Sequence, residues 1–228
     1  NDASAQESRS GARAIPDVIK ALKPLPGAPP AITDDERRAR IEKARRLMVE
    51  NGMGAIVLEP GTSMTYFTDT RWGLSERPFL LVIPAKGELA FVTPGFEENR
   101  AREVTKFTND IRVWQEDEDA CAVVASILKD RGVSSGRVGI EERVRFFIAD
   151  GLREAAPQVD WRLATPVTAG CRMFKSKAEI ALMQHANDIT IAAYKAGLAT
   201  LHEGMTQGDL RDNITAAFTA LGAAGGIA

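Results

Sequence analysis

The chain has 228 residues, 44% of them hydrophobic and 26% charged, with a formal net charge of −2. That balance suits a soluble globular chain with one sizeable core, or one core and part of a second. It excludes an overall basic field for nucleic acid or anionic lipid, and no apolar run approaches the roughly 18–20 residues of a membrane span.

Residues 1–31 are polar and then proline-rich, with Pro24, Pro26, Pro29 and Pro30 within seven positions. This composition predicts a flexible arm that closes no core. Asn1 is not an initiator, which suits an exported protein (periplasmic or secreted) whose signal peptide has been removed; a cut cytoplasmic chain is the alternative. Thr33-Asp34-Asp35-Glu36 is a capping box that predicts a helix to Glu50, stopped by Asn51-Gly52. The basic run Arg37, Arg38, Arg40, Lys43, Arg45 and Arg46 is interleaved with acids there and reads as a solvated helix face. Ala55 to Leu58 is a short buried strand, and 62–77 reads as irregular. Pro78 to Ile83 and Glu88 to Thr93 are predicted as a hairpin around Pro84-Ala85-Lys86-Gly87. Helices are expected over 95–105, 117–131 and 146–155, with strands at 111–114, 137–140 and 159–163.

Strands alternating with helices over 32–166 imply an α/β domain with a mixed sheet flanked by helices. From 167 onward strand signals cease. Ser176-x-x-Glu179 opens a helix whose large apolar residues, Ile180, Met183, Ile191, Tyr194, Leu198 and Leu201, predict its packing face. A further helix is expected over 206–221. Helices of this length stabilise themselves little without a partner surface, so 167–228 reads as the start of a second, incomplete domain.

The search for chemistry returns little. Cys121 and Cys171 make no disulfide framework or zinc pair and read as buried thiols. His185 and His202 do not form H-E-x-x-H, and no G-x-S-x-G or phosphate loop occurs. Glu116 to Asp119 are consecutive and face the start of a helix, where negative charge suits the helix dipole. One cluster stands out: Tyr66, Phe67, Arg71, Trp72, Glu76 and Arg77 follow the first strand, where open α/β sheets bind ligands. Arginine forks and aromatic walls suit a small anionic or peptide ligand. Equally, the aromatics read as core with an arginine rim.

Three segments resemble the pita-bread metallopeptidases, the family of prolidase, aminopeptidase P and creatinase. They are "RIEKARRLMVENGMGAIVLEPGTSMTYFTDTRWGLSERPFLLVIPAKG", "RVGIEE" and "CRMFKSKAEIALMQHANDIT", and the resemblance covers nearly all of 33–228. It implies a creatinase-type N-terminal domain followed by the first helices of the catalytic domain. Such enzymes cleave the Xaa-Pro bond with two divalent ions (manganese, cobalt or zinc) held by two Asp, one His and two Glu. No such ligand maps onto this sequence, so this chain by itself is expected to bind no metal and to be inactive. The first two ligands are aspartates eleven apart; only Asp119 and Asp130 have that spacing, on an expected first-domain helix. The resemblance further implies a homodimer, completed by a C-terminal catalytic half, acting on proline-containing peptides. Arg77 matches an arginine that holds a substrate carboxylate in the neighbouring subunit of creatinase-like members, and Trp72 and Tyr66 are candidate pocket walls. A creatinase-type amidinohydrolase and a non-catalytic binding module are the alternatives.

Overall fold

The computed structural model describes residues 14–223. In chain order the helices are α1 (Asp17–Lys20), α2 (Asp34–Glu50), α3 (Thr62–Thr68), α4 (Glu98–Val104), α5 (Ala120–Asp130), α6 (Phe146–Ala155), α7 (Thr165–Met173), α8 (Lys177–Leu198) and α9 (Gln207–Ala220). The strands are β1 (Met53–Leu58), β2 (Leu80–Pro84), β3 (Ala90–Pro94), β4 (Ile111–Trp114), β5 (Gly136–Ile140) and β6 (Val159–Leu163).

The six strands form one mixed sheet in the order β4-β3-β2-β1-β5-β6. β2 is antiparallel to both β1 and β3, whereas β1–β5, β5–β6 and β3–β4 are parallel. Every strand except β2 therefore points the same way. The predicted hairpin is the β2–β3 pair, with Leu81 opposite Phe91.

Both faces of the sheet are covered, which is why β1, β2 and β3 read as unbroken apolar runs. Alternate residues serve the two sides. Ala55, Val57, Leu80, Val82, Val92 and Val138 face α5 and α6. Ile56, Leu58, Leu81, Ile83 and Phe91 face α2, α3 and α7. At Gly139 the sheet comes so close to its cover that an added Cβ would lie 2.9 Å from Ala164 Cβ and 3.1 Å from Ile56 Cγ2.

Three helices were not expected: α1, which lies in the segment read as an arm, and α3 and α7. α3 lacks a side-chain N-cap and carries β-branched and aromatic residues of poor helix propensity. Its Met64 and Phe67 are fully buried, so tertiary packing makes this helix. α7 begins at Thr165 and has Pro166 in its first turn, a residue that suits that place as well as it ends a preceding element.

The chain divides into two compact units, and the division falls between Lys175 and Ser176 rather than near 166. Unit Ile32–Lys175 keeps α7 because Val167 and Cys171 are buried in the α2 side of its core. The other unit joins the residues up to Ala31 with those from Ser176 onward. Within it α1 places Ile19, 1% exposed, against Ala193, Ala196, Ala217 and Leu221, flanked by Leu22 and Leu25. The described part of the proline-rich segment thus supplies core where an arm closing none was expected. Residues 1–13 and the glycines at 225 and 226 lie outside the described residues.

α8 opens with the expected capping box: Glu179 N–H donates to Ser176 Oγ at 3.1 Å, and Ser176 N–H donates to Glu179 Oε2 at 2.7 Å. Its packing face is the reverse of the expected one. The buried residues are the small Ala193, Ala196 and Gly197, while Ile180, Met183, Ile191, Tyr194, Leu198 and Leu201 are all exposed. Small residues let α8 and α9 approach closely. A Cβ added at Gly197 would lie 2.3 Å from Ile214 Cγ1.

Candidate functional site

The strand directions decide where polar residues gather. With only β2 reversed, the segments after β1, β3, β4 and β5 and the segment before β2 all lie along one edge of the sheet. That edge carries the cluster singled out between Tyr66 and Arg77.

Two anchors fix it. Glu59, directly after β1, is 3% exposed. It accepts from the Arg145 backbone N–H at 2.7 Å, from Arg145 Nε at 3.0 Å and from Arg145 Nη2 at 2.8 Å. Arg145 Nη1 also donates to the Ser75 carbonyl. One guanidinium thus ties the end of β1, the start of α6 and the 69–79 loop. Glu141, directly after β5, is also buried, and desolvation raises its carboxyl above the usual range despite a hydrogen bond from Ser63. Arg172 Nη1 donates to the same Ser63 hydroxyl at 3.2 Å.

Arg77 is engaged within the protein. Its Nε donates to Glu116 Oε1 at 2.7 Å and its Nη2 to Glu116 Oε2 at 3.3 Å, and Nη1 is paired with Glu76. Hydrogen bonding to Arg77 holds the Glu116 carboxyl below the usual range. Glu116 thus completes a bidentate pair across 39 residues of sequence, a role that its position before α5 does not reveal.

The aromatics are partly committed too. Trp72 stacks on Phe79 at 4.0 Å between centroids and 7° between planes, and the Arg100 guanidinium lies 4.1 Å from the Trp72 centroid. Tyr66 donates its hydroxyl to the Cys171 carbonyl at 3.0 Å, and Arg40 lies 4.1 Å from its ring centroid. Both rings are half-buried and pack against the α2 side of the core.

Arg37 and Arg40 are buried, unlike the solvated face expected of them. Arg37 Nη1 donates to the Thr65 carbonyl at 2.6 Å and Nη2 to Asp69 Oδ1 at 2.8 Å; Arg40 Nη1 donates to the Tyr66 carbonyl at 2.9 Å. The Thr65 carbonyl also accepts the Asp69 backbone N–H at 2.9 Å, so Arg37 is its second donor, and the two arginines tie the end of α3 to α2. These two arginines, with Tyr66, Arg71 and Trp72, line an open groove of about 640 Å³.

Among the described residues no group of three or more His, Cys, Asp or Glu converges to hold a metal ion. Asp119 and Asp130 sit at opposite ends of α5, about 16 Å apart along its axis. Their spacing therefore makes no ligand pair. His202 Nδ1 lies 3.0 Å from the Thr200 carbonyl. No helix among the described residues is long and apolar enough to cross a membrane.

Residues 40–174 match the Creatinase/Prolidase N-terminal domain family. The chain belongs to that family. An uncharacterized peptidase of Schizosaccharomyces pombe is 35% identical over 198 residues, covering 81% of this chain and 42% of that protein. Among solved structures, dipeptidase PepE from Mycobacterium ulcerans superposes with a TM-score of 0.75 at 24% identity, over 84% of this chain and 51% of its own. Recombinant prolidase from Thermococcus sibiricus gives 0.71 at 20% identity, over 83% and 50%. These two structures share the fold of this Creatinase/Prolidase N-terminal domain. The chain spans about half the length of the relatives it matches.

Proposed function

We propose that this chain is the N-terminal portion of a dinuclear-metal Xaa-Pro peptidase of prolidase type. The observation that carries the reading is a domain of this family in which the sheet edge following β1 is braced by the Glu59–Arg145 ion pair and carries an arginine- and aromatic-rich loop. The loop's part is to wall the substrate pocket, with Tyr66, Trp72 and Arg77 as contacts reaching a neighbouring subunit of a homodimer.

The described residues do not supply a ligand set for two divalent ions. We therefore assign the ions, whether manganese, cobalt or zinc, to the catalytic part of such a protein. They would polarise the scissile carbonyl and lower the pKa of a bound water there. What this chain's own residues do is position. Glu59 and Arg145 hold the loop against the sheet, and Glu116 orients the planar Arg77 fork. For Arg77 to contact substrate, an incoming carboxylate must exchange with Glu116.

The deciding experiment is turnover by the complete protein loaded with manganese. Hydrolysis of Ala-Pro without turnover of creatine supports the prolidase reading; the reverse selects the amidinohydrolase, and neither activity selects a binding module. In an active protein, Arg77→Ala lowers kcat/KM for Ala-Pro by about tenfold or more. A change within about twofold refutes the contact.

A further inference from the structure

The two arginines at either end of the loop differ in one respect. Arg77 is paired with two carboxylates. Arg71 is exposed and, among the described residues, has neither an ion pair nor a hydrogen bond. It lines the groove of about 640 Å³ beside Tyr66 and Trp72, with Arg37 and Arg40 on the same wall. The remaining lining residues are glycine and threonine, so no carboxylate lines the groove itself.

Arg37 and Arg40 have their charges balanced by Asp69 and Glu36. Arg71 is not balanced, which leaves the groove one net positive charge. Arg37 is 8% exposed and its Nε has no acceptor, an unmet donor in a buried side chain of this wall. The volume falls in the range of small-molecule sites. Because their faces are covered by Phe79, Arg100 and Arg40, the Trp72 and Tyr66 rings are held in place and need little ordering when a ligand arrives.

We propose that this groove is a binding site for a small organic carboxylate with an apolar body, with Arg71 as the fork that grips it. A planar carboxylate can accept two parallel N–H bonds from a guanidinium, and a planar apolar body fills the space between rigid ring edges. Arg77 does not line this groove, which shares Tyr66 and Trp72 with the proposed substrate pocket, and the grip of Arg71 stands whether or not the complete protein is a peptidase.

The test uses the 228-residue chain with ¹⁵N-labelled indoles and benzoate as the probe. Of the three tryptophans only Trp72 lines the groove, while Trp114 and Trp161 donate their indole N–H groups to the carbonyls of Pro78 and Ala156. Benzoate is expected to shift the Trp72 signal saturably, and Arg71→Gln to weaken that binding by about tenfold or more. Arg77→Gln should leave it within about twofold, and benzamide and inorganic phosphate should each bind about tenfold more weakly than benzoate. Arg71 has no ion pair or hydrogen bond among the described residues, so Arg71→Gln should retain the wild-type urea midpoint. No saturable shift, equal binding by Arg71→Gln, or equal binding of benzamide would overturn the site. Phosphate binding tighter than benzoate would overturn its ligand class.

Discussion

Removing the guanidinium of Arg145 should unhinge the sheet edge. Arg145→Ala deletes the Nε and Nη2 donors on Glu59 at 3.0 and 2.8 Å, and the donor on the Ser75 carbonyl. The backbone N–H at 2.7 Å remains. A carboxylate 3% exposed is then left with one protein donor. Stripping one partner from a buried pair costs roughly 3–5 kcal/mol. The Arg145 side chain is 30% exposed and water can enter its place, so the lower end, about 3 kcal/mol, applies. All three tryptophans lie within residues 32–175, so their fluorescence in urea reports that unit alone. With a slope of roughly 1–3 kcal/mol per molar urea, the midpoint should fall by about 1–3 M. Glu59→Gln in the same background should recover part of the loss because it removes the orphaned charge, giving a coupling of about 1–3 kcal/mol. A midpoint within about 0.3 M of wild type, or strictly additive variants, would refute the assignment of Glu59 and Arg145 as the brace.

Glu141→Gln should act in the opposite sense. Desolvation raises the folded-state pKa, so the folded protein holds this proton more tightly than the unfolded chain, and stability falls as pH rises from the unfolded pKa through the raised one. The urea midpoint of Glu141→Gln should exceed wild type at pH 8, with the gain shrinking toward pH 4; a pH-independent difference would contradict it. Gly197→Ala places a methyl 2.3 Å from Ile214 Cγ1, an overpacking worth roughly 1–3 kcal/mol. Amide exchange in α9 should speed up about 5- to 150-fold, and unchanged protection would show that the helices can part freely. Burial pushes the Cys121 thiol up to about 12 and the Cys171 thiol up to about 11. At pH 8 both should resist iodoacetamide until urea unfolds the chain, and modification of the native protein would place a thiol at the surface.

The sheet was readable because its strands are buried on both faces and appear as apolar runs, and α2 and α8 because their caps are written in Thr33 and Ser176. α3 was not, since Met64, Phe67 and two arginines from another helix hold a segment of poor propensity. The α8 face was misjudged for a related reason. Large apolar residues read as core, whereas close helix approach selects alanine and glycine. In the site, proximity to the end of β1 singled out the loop that the strand directions bring to that edge of the sheet. It could not show that Glu116 occupies Arg77 while Arg71 stays unpaired, because contacts 39 residues apart depend on strand order. The burial of Arg37 and Arg40 was hidden because charge alternation looks the same on a wet face and over helix-end carbonyls.

The pairing of Ile19 with Ala193, Ala217 and Leu221 matters before the protein is finished. Synthesis must supply roughly 200 further residues after Ile19, at roughly 5–20 residues per second, before its last partner exists. Residues 32–175 can close their own core in that interval. Ile19, Leu22 and Leu25 must wait, uncovered, for about 10–40 s. On the ribosome this stretch is therefore a window for chaperone capture or proteolytic trimming, and it closes only when α9 emerges.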